Sequence, residues 1–454
     1  MTELFESSSM SRRRFLTTSA MVAGSIVGAG AALNACSTSS ASPGKTTITV
    51  LYNLGEVTLP MIALFEKLNP DIKVKFIDVS NDPLRFSAML AAGTPPDFVR
   101  TLGAAEMPNI IARGLARNLS SYFAQSSVLK YSDLQPIYDV YRYDGKVQGK
   151  GPLYGAVKDW SQDATLWYNK KLFDQAHVAY PSETEPMTYD ELLDMARRLT
   201  VNQNGKIQVY GLDANWGYVM QGHILQMVTQ QGGSVFNSDF TKADFTTPEA
   251  RKAIKWYVDW AQAHVGPSPL DPYSGWDGTA FPADRLAISM FGYWFGGSII
   301  APDTHNMGEH VGFAPAPVIG STRISSCMTG TGGWIPQTAK HPDEAWKFME
   351  YFMGGQPAKD RATSGFGIPG QKSLFSDLPQ AQPYQAQAYK TQENELQYQQ
   401  VLHFSPYVSD GAVNLAFSQN IEPVMKGKVP FDQGITNLNN AVNLLLQQGK
   451  SQLS

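Results

Sequence analysis

Between Thr47 and Val99 the chain switches repeatedly between two hydrophobic periods, and this alternation limits its fold more than any other feature. Thr47-Ile48-Thr49-Val50-Leu51-Tyr52 has the β-branched composition of a strand. Residues 58–69 then carry Leu59, Ile62, Leu64, Phe65 and Leu68, a helical face that stops before Asn69-Pro70. Ile72, Val74 and Phe76 alternate with Asp71, Lys73 and Lys75, the pattern of a half-buried strand. Residues 82–92 return to helix, Gly93-Thr94-Pro95-Pro96 breaks it, and Asp97-Phe98-Val99 opens a third strand. The order βαβαβ predicts a parallel sheet covered by helices.

Later helices are marked by their caps. Thr188-Tyr189-Asp190-Glu191 is a capping box, followed by Leu192, Met195, Ala196 and Leu199 on one face. Thr247-Pro248-Glu249 starts a second helix with its stripe at Ile254, Tyr257, Val258 and Ala261, and Pro342 starts a third. Asn437 to Gln447 forms a last amphipathic segment, and the Gln-rich stretch 377–401 is helical in part. Between the helices lie three Gly/Pro/aromatic loops at 265–283, 292–302 and 329–336, the kind of segment where open α/β sheets place ligands. With 454 residues, two or three domains are expected. The 43% hydrophobic content supplies large cores and excludes a disordered, collagenous or coiled-coil chain. A net charge of -4 leaves no basic footprint, so nucleic acid is not expected as a partner. Two cysteines cannot build a disulfide scaffold or a thiolate zinc site.

The first 36 residues read as an address. Ser11-Arg12-Arg13-Arg14-Phe15-Leu16 precedes an uncharged stretch ending at Ala35, with small residues where a stable membrane helix would carry Leu, Ile and Val. The paired arginines with Phe-Leu behind them resemble the twin-arginine translocation signal. Leu33-Asn34-Ala35-Cys36 resembles a bacterial lipobox, although Asn34 departs from the usual small residue. The resemblance implies an exported protein lipidated at Cys36 and held at the outer face of the cytoplasmic membrane. Residues 37–44, STSSASPG, form a flexible tether.

Catalytic signatures are missing from the sequence. There is no HExxH, no GxSxG elbow and no GxxxxGK[ST] phosphate loop, and the seven histidines are scattered, so neither a metal nor a cofactor is expected. The chain instead carries indoles in polar, glycine-rich loops: Trp160, Trp276, Trp294 and Trp334. A pyranose offers an apolar C–H face to such a ring, and its hydroxyl groups take Asp, Glu, Asn and Arg.

Six ordered blocks resemble the extracellular solute-binding proteins of ABC importers, family 1 carbohydrate-binding type. Leu153-Tyr154-Gly155 and Leu166-Trp167-Tyr168-Asn169-Lys170-Lys171-Leu172-Phe173 resemble its "YGLP…LYYNKDLF" signature, and Pro186-Met187-Thr188-Tyr189-Asp190-Glu191-Leu192 its "P.TWDEL" helix start. Gly232-Gly233-Ser234-Val235-Phe236, Phe281-Pro282-Ala283-Asp284-Arg285, Gly333-Trp334-Ile335-Pro336 and Gly367-Ile368-Pro369 match later blocks. The resemblance implies an α/β, two-lobed periplasmic-binding-protein fold of type II, each lobe a mainly parallel sheet flanked by helices. It divides the chain into 45–157 with 308–355, and 158–300 with 356–454, hinged near 157–162, 300–308 and 355–362. It implies a monomer that is not an enzyme, uses no cofactor, closes on a carbohydrate and presents it to a permease. Carried onto this sequence, Tyr52, Asn53 and Glu56 border the cleft, Asp97 is the strand-edge acid, and Glu106 substitutes for charges absent from Thr101 to Ala105. Asp159 and Trp160 lie at the first crossing; Trp276, Trp294, Gly332, Gly333 and Trp334 enter from the second lobe and the returning chain. The rival readings are a tethered carbohydrate-active hydrolase, which needs two close carboxylates, a receptor for glycerol phosphate or another anion, which needs Lys or Arg in the cleft, and a purely structural lipoprotein, which has no use for a polar aromatic cleft.

Overall fold

A computed structural model describes residues 44–80, 82, 84–214, 220–273, 275–299 and 307–453. The export signal and Cys36 lie outside these residues. Strands β1 (Thr46–Tyr52), β2 (Ile72–Asp78) and β3 (Phe98–Leu102) are mutually parallel around β1, in a register running from Thr46 opposite Ile72 to Tyr52 opposite Asp78. Helices α1 (Leu59–Leu68) and α2 (Arg85–Ala91) make the two crossovers, and α3 (Gly103–Ala112) follows β3 directly. Thr58 caps α1 by accepting from Met61 N, and a proline sits in the first turn, where its missing N–H costs nothing.

The sheet is completed from distant parts of the chain. Its order is β2-β1-β3-β13-β6, where β6 is Gly155–Val157 and β13 is Thr331–Trp334, antiparallel to both neighbours. The helix Pro342–Gly354 covers one face, with Phe348 edge-on to Phe65 at 5.1 Å and Phe352 edge-on to Tyr52 at 5.2 Å. A hairpin of β4 (Arg142–Tyr143) and β5 (Gln148–Leu153) precedes β6.

From β6 the chain passes straight into β7 (Asp159–Trp160), which pairs with β14 (Ile368–Pro369) on its way between the lobes. The second lobe is built on β8 (Leu166–Asn169), flanked by β11 (Ile288–Ser289) and β12 (Val311–Ala314). Parallel bridges Tyr210–Leu286 and Asp213–Ser289 extend this sheet. A small hairpin of β9 (Val201–Gln203) and β10 (Lys206–Val209) precedes them in the chain. Helices Tyr189–Leu199, Met220–Gln230, Pro248–Gln262, Asp410–Met425 and Phe431–Leu453 pack on one another, the helix Pro383–Glu395 packs on β12, and the capping box at Thr188 and Glu191 is formed. Because β12 pairs with β8, residues 311–314 belong to the second sheet, not with 45–157, and the chain rejoins the first sheet only at β13. The middle half of the expected loop 329–336, Thr331–Trp334, is therefore a strand. Cys327 is buried beside the crossing.

Asp163 ties this crossing together. Its carboxylate accepts from Met328 N at 2.5 Å, Thr329 N at 3.2 Å and Thr329 Oγ1 at 3.1 Å. Burial pushes its pKa up to about 6, against the opposing pull of those backbone N–H groups.

Candidate functional site

Parallel strands aim their carboxyl ends at one edge of the sheet, and the loops after β1, β2 and β3 open there. Asn53 and Glu56 follow β1, Ser80 follows β2, and Arg100 and Leu102 close β3. These five residues form one wall of a cavity of about 570 Å³. Lys158, Asp159, Trp160 and Ser161 on the crossing form its floor, and Thr329, Thr331 and Phe366 enter from the return crossings. The facing wall comes from the second lobe and consists of Trp276, Phe291 and Trp294. The volume lies within the usual range for small-molecule sites.

An ion network joins the first wall to the floor. Glu56 Oε1 pairs with Arg100 Nη2 at 2.8 Å and accepts from Arg100 Nε at 3.0 Å and Asn53 Nδ2 at 3.2 Å. Glu56 Oε2 pairs with Lys158 Nζ at 2.9 Å, and the same ammonium meets Asp159 Oδ2 at 2.6 Å. Arg361 Nε stands 4.0 Å behind Asp159. Burial alone would raise the pKa of Glu56. The Lys158 and Arg100 charges outweigh it and hold that carboxyl down to about 2. At Asp159 the balance is reversed: burial dominates, and the pKa stays above the usual carboxylate value despite Lys158 and Arg361. Each cation that lines the cavity is thus engaged by a carboxylate. Glu56 is held as an anion, and Asp159 shares with it the Lys158 ammonium. Among the described residues no group of three His, Cys, Asp or Glu side chains could hold a metal ion.

The opposite wall is held by backbone and ring contacts. Gly292, at φ 72°, turns the chain where a Cβ would stand 2.8 Å from Ser161 Cβ, and the next turn presents Trp294. Trp294 N donates to Ser161 Oγ at 2.8 Å. Its ring lies 5.7 Å from both Phe291 and Phe366. Trp276, 47% exposed, meets Phe295 edge-on at 6.0 Å. Trp160 is 3% exposed and donates Nε1–H to Pro369 O at 3.3 Å, so its ring is a firm part of the floor.

Of the side chains picked out from sequence, Asn53, Glu56, Asp159, Trp160, Trp276 and Trp294 line this cavity. The others lie elsewhere, each for an evident reason. Tyr52 points into the first lobe's core between Phe98 and Phe352 and donates to Gly332 O at 2.9 Å. Asp97 stands at the opposite, amino end of β3. There it accepts from Thr49 N at 2.8 Å and, at 3.1 and 3.0 Å, from Lys340 N and His341 N at the start of the helix Pro342–Gly354. Glu106 folds back over the first turn of α3, accepting from Thr101 Oγ1 at 2.7 Å and Leu102 N at 2.8 Å. Gly332 and Gly333 are mid-strand, where a Cβ would stand 2.0 Å from Ala156 O or 2.4 Å from the Phe98 ring; glycine serves sheet packing there. Trp334, 1% exposed, packs edge-on against Phe86 at 5.0 Å inside the first lobe. Phe291 and Phe366 were not singled out, although both sit beside glycines, the signal that picked out the indoles.

The profile of the bacterial extracellular solute-binding proteins matches residues 53–354. A search of curated proteins finds no match. Among solved structures, the ABC substrate-binding protein Lmo0181 of Listeria monocytogenes, in complex with cycloalternan, superposes with a TM-score of 0.73 at 23% identity, covering 88% of this chain and 98% of its own. An ABC transporter solute-binding protein of Thermotoga lettingae bound with α-D-tagatose gives 0.71 at 21% identity, covering 89% and 100%. The GacH receptor of Streptomyces glaucescens, solved unliganded and with acarbose, gives 0.68 at 19% identity, covering 89% and 99%. These likenesses establish the two-lobed, type II fold over nearly the whole of each chain.

Proposed function

The chain belongs to the bacterial extracellular solute-binding proteins, and from that premise we propose that it captures a carbohydrate, an oligosaccharide in particular, for an ABC importer. The observation that carries this reading is the pairing of walls. Trp276, Phe291 and Trp294 offer faces to pyranose C–H groups, and the opposite wall offers Asn53, Ser80 and the outer edges of the Glu56–Arg100–Lys158–Asp159 network to hydroxyl groups. The two cations that line the cavity, Arg100 and Lys158, are already engaged by Glu56 and Asp159, and this favours an uncharged ligand over a phosphate, which would need a cation to spare. The ligands in the related structures, cycloalternan, tagatose and acarbose, point the same way.

In this reading a ligand touching both walls binds the closed arrangement better than the open one and shifts the population toward it. The closed form is presented to the permease, and no bond in the sugar is made or broken. Cys36 carries the lipid, residues 37–44 act as the tether, and the twin arginines direct export.

A thermal-shift screen over mono- to hexasaccharides tests the proposal. A specific sugar at 100 times its Kd should add about 2.7 kcal/mol of stability. A shift by organic phosphates with none by any saccharide would defeat it, and turnover of a glycoside would favour the hydrolase.

A further inference from the structure

Trp276 and Phe291 belong to two cavities at once. Beyond the inter-lobe cavity, on the second lobe, they also wall a groove of about 520 Å³. Its sides are the proline-rich turn Pro267, Pro269 and Pro272, whose ring-locked backbone loses little freedom when a ligand settles on it. Its base is polar. Tyr273 donates to Asp277 Oδ1 at 2.8 Å and meets Asp213 Oδ2 at 3.5 Å, and Ser289 Oγ also donates to Asp277. Glu422 and Lys426, one exposed ion pair at 3.0 Å, line the outer rim. The indole between the cavities is half exposed yet firmly placed. Phe295 meets it edge-on, and its six-membered ring lies over Gly278, where a Cβ would stand 2.1 Å from Cζ2. A fixed aromatic surface open to two adjoining cavities is suited to a chain of rings that outruns the first.

We propose that the groove walled by Pro267–Pro272, Tyr273 and the Glu422–Lys426 rim is an extension subsite, which takes the outer units of a neutral oligosaccharide whose inner units occupy the inter-lobe cavity, with Trp276 as the stacking surface between them. This rests on the carbohydrate reading above. Hydroxyl groups of the outer units meet the carboxylates and the Lys426 ammonium at the rim, and affinity therefore rises with chain length past the point where the first cavity is full.

The test is calorimetric titration of the full-length protein with gluco-, manno- and xylo-oligosaccharides of two to six units. The unaltered protein should bind the longest member of its preferred series about tenfold or more tightly than the disaccharide. Pro272→Trp, which fills the groove from an exposed position, should bind the disaccharide unchanged and lose that gain. The double variant Glu422→Ala/Lys426→Ala, on a helix surface, should lose part of it, and Gly278→Ala, by displacing the indole, should weaken long chains more than short ones. Equal affinity for two and six units, or a length gain that survives both Pro272→Trp and the rim variant, would overturn the subsite while leaving the carbohydrate reading standing. No binding by any saccharide would overturn both.

Discussion

The two walls of the inter-lobe cavity solve the problem of holding one ligand in opposite ways. The wall from the five-stranded sheet, together with the floor on the crossing, is charged, partly buried and internally paired: Glu56 answers Arg100, and Lys158 answers both Glu56 and Asp159. The wall from the second lobe, Trp276, Phe291 and Trp294, carries no charged side chain among the described lining residues. Such a division separates two tasks. Rings supply attraction through buried area, which is broad and tolerant. A rigid ionic frame supplies hydrogen-bonding edges at fixed places, which is selective, and it can do so only if its own charges are already satisfied. The cost is that the frame depends on every member.

Removing one member of the frame therefore gives the largest effect. Lys158→Met leaves Glu56 and Asp159 facing each other in a buried site, and stability in urea should fall by about 3–5 kcal/mol. A loss under 1 kcal/mol would mean that water already screens the pair. The indoles sharpen the contrast. Trp334→Ala opens a hole in the first lobe's core and should cost about 3–5 kcal/mol of stability. Trp294→Ala, on the cavity wall, should cost about 1 kcal/mol of stability but raise the Kd for the preferred sugar about tenfold, equivalent to about 1.4 kcal/mol. If the two variants exchanged these signatures, the assignment of wall and core would be wrong.

A smaller effect reports on the crossing between the walls. Asp163 has a folded-state pKa of about 6, above the ordinary 3.8, so the fold favours its protonated form. Its contribution is fully present below the ordinary value and is lost as pH rises through 6. Between pH 5 and 7 the protein should lose about 1 kcal/mol from this group. Asp410, raised to about 7 by burial, adds to the same trend, so the measurement is the difference between the unaltered chain and Asp163→Asn. Glu56 behaves in the opposite sense. Its depressed pKa gives stability that is present above the ordinary value of 4.5 and lost only as pH falls toward 2, so it is constant across this window.

The same two walls were unequally legible in the chain. Strand and helix periods placed β1, α1, β2 and β3 closely, because each buries one face and the pattern follows from that. The loops after the strands followed in turn, which brought Asn53 and Glu56 to the right edge. Indoles beside glycines pointed to Trp276 and Trp294, yet the same signal also picked out Trp334. Local composition cannot tell a glycine that lets a loop approach a ligand from one that lets a strand pass under Phe98. Asp97 misled for a related reason: a carboxylate next to a strand can cap either end, and direction along the sheet is a property of the fold. The ion network was hidden because Glu56, which joins its two halves, lies 44 residues from Arg100 and 102 residues from Lys158, and nothing local in the sequence links them.

The last consequence of the comparison is an effect that should be nearly zero. A neutral sugar brings no net charge into the site, and the two cations lining the cavity, Arg100 and Lys158, are already paired with carboxylates. Raising salt from about 0.05 to about 0.5 M shortens the screening length to a few ångströms. It leaves contacts between neutral groups almost unaltered and acts little on the frame itself, since Lys158 and Asp159 are buried. The Kd for a neutral oligosaccharide should therefore change by less than about twofold over that range. A ligand held by Lys158 or Arg100 as free cations would instead lose affinity steadily with ionic strength. A steep salt dependence would show that the frame opens on binding and lends a charge to the ligand, and the division of labour between the two walls would have to be abandoned.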